Sequence, residues 1–285
     1  MASSFELENK GAIVTGGGSG INLAFVKAIY SAGCSVLIGD LALHIYFQKT
    51  DVTAWNQLER LFDVFADMFN GTVPDIVVAG AGIYEASFAG FWNDRDEASH
   101  YKLLDVNLLH PIKLTRIAIR RLQRAGRPGV ILHESSIVAL KASAVLPLYA
   151  ISKAALSHFV RCMAPLGEMA NIKVVAVAPG IVDTPLFRDN PEALDHIDTA
   201  KDFLLPPAEV VKAMIALVTD SKYRAGTVLE VNDIGGWREV QMLNDPGPQG
   251  QSKNPRQKAM EAISFVKKTL EEDANGHGGN TSSKL

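Results

Sequence analysis

"GAIVTGGGSGINLA", Gly11–Ala24, is a β-branched run that breaks into glycines and then opens a helical pattern. "GAIVT" reads as a buried strand. Residues 19–32 read as a helix with Leu23, Val26 and Ile29–Tyr30 on its apolar side. Between them lies Thr15-Gly16-Gly17-Gly18-Ser19-Gly20, followed by Ile21. Glycines there let the backbone approach a pyrophosphate, and a helix N-terminus offers unpaired N–H groups and a partial positive charge. A glycine cluster alone is more often a plain turn. The strand before it and the helix after it make this one informative. The next strand, "SVLIG", ends at Asp40, twenty residues after Gly20. An acid there accepts hydrogen bonds from ribose hydroxyls and repels a 2′-phosphate, which predicts NAD rather than NADP.

Outward from this turn, short β-branched runs alternate with longer helical patterns. The strands are expected at "HIYFQ", "DIVVAG", "GVILHES", "IKVVAVAPG" and "GTVLEV". Helices are expected over 53–69 (Leu58, Leu61, Phe62 and Phe65 inward), 97–125 (kinked at Pro111), 148–170 and "PPAEVVKAMIALVTD". This alternation predicts an α/β fold with one doubly wound parallel sheet of about seven strands covered by helices on both faces. Only ten residues separate Asp40 from Asp51, too few for a full crossover helix between strands two and three. That helix is expected to be shortened or missing. Residues 1–240 form one domain on this reading. The extension 241–285 holds a linker, a helix over about 256–272 and a polar, glycine-rich flexible tail.

A net charge of −3 over 285 residues disfavours a nucleic-acid partner. No run approaches the roughly 18 apolar residues of a membrane span, and the N-terminus has no secretory h-region. Cys34 and Cys162 match no metal spacing and read as buried core thiols; no metal is expected.

Tyr149-Ala-Ile-Ser-Lys153 puts Tyr and Lys four apart on one helical face, and Ser136 precedes Tyr149 by thirteen residues. Ser135 stands beside Ser136 and either could serve, though the spacing matches Ser136. With Thr15-Gly-x-x-x-Gly20, Asp40, "DVT" at 51–53, "AGAG" at 79–82, "DVNLL" at 105–109 and "PGIVDT" at 179–184, residues 8–240 resemble the classical short-chain dehydrogenase/reductase family. The carboxyl-terminal third is most similar to its NAD-dependent hydroxyprostaglandin dehydrogenase-like members. The resemblance implies a Rossmann-like fold and hydride transfer between a secondary alcohol and NAD. Tyr149 would be the base, acidified by Lys153 and the cofactor's positive charge. Ser136 would orient the substrate oxygen, and Asn107 would hold a water linking Lys153 to solvent. The cofactor would meet Thr15, Gly16, Gly18, Ser19, Gly20 and Ile21 at the phosphates. Asp40, Asp51, Val52, Ala79 and Gly80 would border the adenosine half. Tyr149, Lys153, Pro179, Gly180, Val182 and Thr184 would border the nicotinamide half.

The sequence departs from the family in places. Asn22 replaces the last fingerprint glycine, and "AGAG" replaces Asn-Asn-Ala-Gly. Glu134 stands where an apolar residue is usual, either as a functional acid or, the favoured reading, paired with Lys141 or edging into solvent. Substrate selectivity is implied for Pro185–Leu205, whose Leu186, Phe187, Leu194, Ile197, Phe203 and Leu204–Leu205 predict a hydrophobic alcohol or ketone. Relatives commonly pair through helices near 101–125 and 148–170, so a homodimer or homotetramer is expected. Ser283-Lys284-Leu285 reads as a peroxisomal import signal, with the import receptor as partner; a cytoplasmic enzyme is the alternative. A ketone reductase running in the opposite direction and a non-redox nucleotide-binding scaffold are the competing functions.

Overall fold

A computed structural model describes residues 5–41, 47–85, 90–94, 97, 100–189, 203–241 and 256–275. The first half contains β1 (Gly11–Thr15), α1 (Gly20–Ser31), β2 (Ser35–Asp40), β3 (Phe47–Lys49), α2 (Trp55–Met68) and β4 (Ile76–Ala79). A short helix α3 (Lys102–Leu104), a π-helical turn over Asp105–Leu109 and α4 (His110–Arg124) then run continuously into β5 (Gly129–Glu134). The remainder is α5 (Pro147–Cys162), α6 (Leu166–Met169), β6 (Ile172–Pro179), α7 (Pro185–Arg188), α8 (Pro207–Thr219), β7 (Val228–Asp233), β8 (Gly236–Glu239) and α9 (Arg256–Ala274).

The strands form one sheet in the order β3-β2-β1-β4-β5-β6-β7-β8. All neighbours are parallel except β7 and β8. Alternate side chains feed two separate cores. Ala12 and Val14 of β1 meet Phe25, Val26 and Ile29 of α1 and Met214 of α8 on one face. Ile13 meets Leu58, Leu61 and Phe65 of α2 and Leu114 and Ile117 of α4 on the other. Because both faces are covered, the central strands are apolar throughout, which is why they were legible as strands.

The structure corrects several expectations. Among the described residues the sheet has eight strands, not about seven: β8 is a short, exposed antiparallel edge with no apolar alternation to announce it. The third strand includes Phe47 and Gln48 of "HIYFQ" and runs to Lys49; residues 44–46 lie outside the described residues. The helix expected over 148–170 stops at Cys162, because Pro165 has no N–H and its ring would strike the carbonyl of Arg161. Pro111 sits just after the π turn; it has no N–H for the Val106 carbonyl, and His110 Nδ1 donates there instead at 3.1 Å. Cys34 is buried but Cys162 is exposed. Leu194, Ile197 and Ser283-Lys284-Leu285 lie outside the described residues. Helix α9 lies on α4, where Arg116 donates to both oxygens of the buried Asp273 at 2.6 and 3.1 Å.

Two fully buried histidines brace the sheet to α4. His133 Nε2 donates to Thr115 Oγ1 at 3.0 Å, since that hydroxyl itself donates to the Pro111 carbonyl. Burial pushes His110 down to about 4 and His133 to about 3. Both titrate near 6.5 when unfolded. Stability is therefore intact above that value and falls as the pH drops toward 4, because the unfolded chain takes up the protons. The loss is about 2 kcal/mol per histidine at pH 5. Urea midpoints should fall steeply below pH 6, and His133→Gln should flatten the fall by about half. An unchanged slope in that variant would contradict the assignment.

Candidate active site

The strand order reverses at β1, with β2 on one side and β4 on the other. In such sheets a crevice opens beyond the carboxyl ends of the strands at the reversal. Here it is a cavity of about 900 Å³. At one end sits the glycine turn. Gly16 has φ +68°, and a Cβ there would lie 2.7 Å from Ala81 Cα; Gly20 has φ +54°. The N-cap residue of α1, Ser19, makes no side-chain cap bond, and the first turn of α1 carries no acid. The first N–H groups of α1 are thus left for an anion, and Gly16, Ser19, Gly20 and Ile21 border the cavity. Asp40 Oδ2 accepts the Gly18 N–H at 2.8 Å, so the carboxylate is fixed at the cavity edge. Asp51 Oδ1 accepts from Thr53 N and Oγ1 at 2.9 and 2.7 Å, which holds its carboxyl below the usual range; Val52 follows it along the wall. A long crevice with an anion-receptive helix end, close-approach glycines and an acid at the second strand suits a dinucleotide.

Midway along the cavity stand Ser136, Tyr149 and Lys153. Ser136 follows β5 and caps the turn Ile137–Leu140, accepting from Val138 N at 3.3 Å. The hydroxyl also opposes the upward push of burial on the Tyr149 phenol. Ser135 is different: its Oγ donates to the Lys153 carbonyl at 3.1 Å and lies 2.6 Å from Ser157 Oγ, so it ties β5 to α5. Lys153 Nζ lies 5.5 Å from the Tyr149 ring centre and donates to the Glu134 carbonyl at 2.8 Å. Burial lowers the Lys153 ammonium and raises the Tyr149 phenol; the Glu134 carboxyl pushes both upward. Pro179, Gly180, Val182 and Thr184 form the opposite wall. A Val182–Leu205 bridge pins that segment, with Leu205 N donating to Ile181 O at 2.8 Å.

Four residues expected at the cofactor or substrate, Thr15, Gly18, Ala79 and Asn107, do not line the cavity; Gly18 spends its N–H on Asp40. Thr15 is fully buried and its hydroxyl joins β1 to β4, accepting from Gly80 N at 3.1 Å beside Val78 O and His110 Nε2. Ala79 belongs to the core. Asn107, in the π turn, spends both ends of its amide on Ile83, accepting from N and donating to O at 2.9 Å each. It locks the loop after β4 in place.

The departures at residues 22 and 80 explain each other. Asn22 reaches from α1 across the space left by Gly80 and donates to its carbonyl at 2.9 Å. A Cβ on Gly80 would strike that amide. No ion pair joins Glu134 to Lys141 among the described residues; the half-buried side chain edges into the cavity instead. It turns into the cavity wall near Asn22 and Lys153.

Two participants were invisible in the sequence. Tyr84 stacks between Tyr149 and Phe187, with both ring centres 5.9 Å away, and forms the far wall with Leu186 and Phe187. Glu85 is buried and accepts the Tyr149 N–H at 2.8 Å, so a carboxyl from another loop holds the start of α5. Both contacts span more than sixty residues, so no local pattern could announce them.

A family model described as short chain dehydrogenase matches residues 10–195. The chain is 30% identical over 247 residues to the cis-4-hydroxycyclohexanecarboxylate dehydrogenase of Sinomonas cyclohexanicum, covering 80% of this chain and 96% of that protein. It is 26% identical over 262 residues to the NAD(+) 15-hydroxyprostaglandin dehydrogenase of Bos taurus, covering 81% and 93%. A short-chain type dehydrogenase/reductase from Mycobacterium marinum shares the fold, with a TM-score of 0.71 at 22% identity over 80% of this chain and 95% of that one. The chain belongs to the short chain dehydrogenase family, oxidoreductases that act on alcohol groups with a nicotinamide cofactor.

Proposed function

We propose that this enzyme oxidises a secondary alcohol on a hydrophobic small molecule to a ketone, with NAD as the cofactor. The carrying observation is that Ser136, Tyr149 and Lys153 line one cavity together with Asp40, the glycine turn and an apolar set that includes Tyr84, Leu186 and Phe187. When bound, the cofactor supplies the hydride acceptor. Ser136 would hydrogen-bond the substrate oxygen and hold it toward Tyr149. Tyr149 would take the hydroxyl proton. Lys153 would stabilise the phenolate and pass the proton on. Thr184, Val182 and the ends of β6 would seat the nicotinamide, while the open start of α1 would hold the pyrophosphate. Tyr84, Val145, Leu146, Leu186 and Phe187 offer a substrate mainly apolar contacts, which supports a hydrophobic alcohol. Two relatives act, by name, on a hydroxycyclohexane acid and a hydroxyprostaglandin, both largely hydrocarbon.

The cofactor choice rests on Asp40. Titration with NAD and NADP should show a clear preference for NAD. Asp40→Ala should weaken NAD binding about tenfold, by losing charged hydrogen bonds to the ribose, and should narrow the preference further by removing repulsion of a 2′-phosphate. An unchanged NAD/NADP ratio in the variant would contradict this role.

A further inference from the structure

Glu134 ends β5, two residues before Ser136, on a strand whose preceding residues are all buried. Its side chain lines the cavity, yet Oε1 is buried with no hydrogen-bond partner among the described residues. Asn22 Oδ1, on the neighbouring amide from α1, is buried and unpartnered as well. The charged or titratable groups facing Glu134 both come from α5: Lys153 and Tyr149. From the flanking strands, β6 sets Val177 opposite Glu134, and Gly80 follows the end of β4. Lys153 Nζ donates to the main-chain carbonyl of Glu134, and no ion pair joins its ammonium to the carboxyl among the described residues.

An ionised carboxylate only accepts hydrogen bonds, so a buried oxygen with no donor is unfavourable for that form. Protonation turns the same group into a donor, in a place where neighbouring oxygens lack one. Burial accordingly raises the Glu134 carboxyl well above the usual range, against the pull of Lys153 and the Asn22 amide.

We propose that Glu134 is a positioning residue that gains and loses a proton within the enzyme's working pH range, and that its charge sets the protonation of Lys153 and Tyr149. The proposal rests on the roles given to those two residues above. The sign follows from the charges. Ionised Glu134 holds Lys153 protonated and opposes the phenolate; neutral Glu134 does neither. The three groups then titrate as a coupled unit.

Glu134→Gln removes the charge and keeps the shape. Both limbs of the kcat/KM pH profile for alcohol oxidation should move to lower pH, by about one unit, because Lys153 and Tyr149 each lose a negative neighbour. Glu134→Asp keeps a carboxyl and should bring the profile back toward wild type. A merely structural role would lower activity without moving the limbs. The second readout needs neither turnover nor cofactor. Carbon-13 NMR of the glutamate carboxyls in wild-type protein should show one resonance, missing from both variants, that titrates about one pH unit or more above the rest. Superimposable pH profiles, or a Glu134 resonance titrating with the other glutamates, would overturn the proposal. If wild-type protein oxidises no alcohol, the functional reading fails, while the NMR titration still decides whether Glu134 holds its proton.

Discussion

Tyr149→Phe should lower kcat for alcohol oxidation by about a thousandfold, within the range expected for loss of a positioned acid–base. In the proposed mechanism the phenol oxygen takes the substrate proton, and phenylalanine keeps the rest of the side chain. The ring still packs against Tyr84, whose centre lies 5.9 Å away. The main-chain N–H still reaches Glu85 at 2.8 Å, so α5 keeps its anchor. NAD affinity, measured by titration, should stay within about threefold, since the lost hydroxyl is worth one modest hydrogen bond to the cofactor. Activity within tenfold of wild type would assign the proton to another group. Ser136 could not replace Tyr149 alone, because a serine hydroxyl has no usable acidity and no base is hydrogen-bonded to it among the described residues.

Lys153→Met should cost about a hundredfold to ten-thousandfold in kcat. Methionine keeps most of the side-chain bulk but removes the ammonium. Tyr149 then faces Glu134 with no cation between them, so forming the phenolate becomes harder. The acid limb of the profile should move to higher pH, opposite in direction to Glu134→Gln. The Glu134 carbonyl also loses its donor, a destabilisation of about 1–3 kcal/mol. Burying no ammonium offsets part of that, so the variant should fold with a lowered urea midpoint. A kcat drop without any shift of the acid limb would mean that Lys153 acts on the cofactor alone.

These two residues were legible because their chemistry is local. Tyr149 and Lys153 share one turn of α5, and the glycine turn sits between a strand and a helix that the apolar pattern marks. Contacts closed by the fold were not legible. Asn22 reads as a flaw in a fingerprint until α1 meets Gly80 at the end of β4. Glu134 reads as either a functional acid or one paired with Lys141 or edging into solvent until β5 sets it against α1 and α5. Glu85 caps a helix it does not precede. The short exposed edge β8 failed for another reason: it buries little, so its residues carry no periodic signature. Thr15 and Ala79 stand next in sequence to cavity residues, but strand alternation turns their side chains into the sheet.

Transfer of label from the substrate carbon tests the central claim most directly. An apolar secondary alcohol, such as a substituted cyclohexanol, would carry deuterium on its carbinol carbon and be incubated with the full-length enzyme and NAD. Mass spectrometry should find the deuterium in the reduced nicotinamide and the matching ketone in equal amount, with both products forming about a thousandfold more slowly with Tyr149→Phe. NAD binding without label transfer across a panel of such alcohols, or equal transfer by Tyr149→Phe, would contradict it.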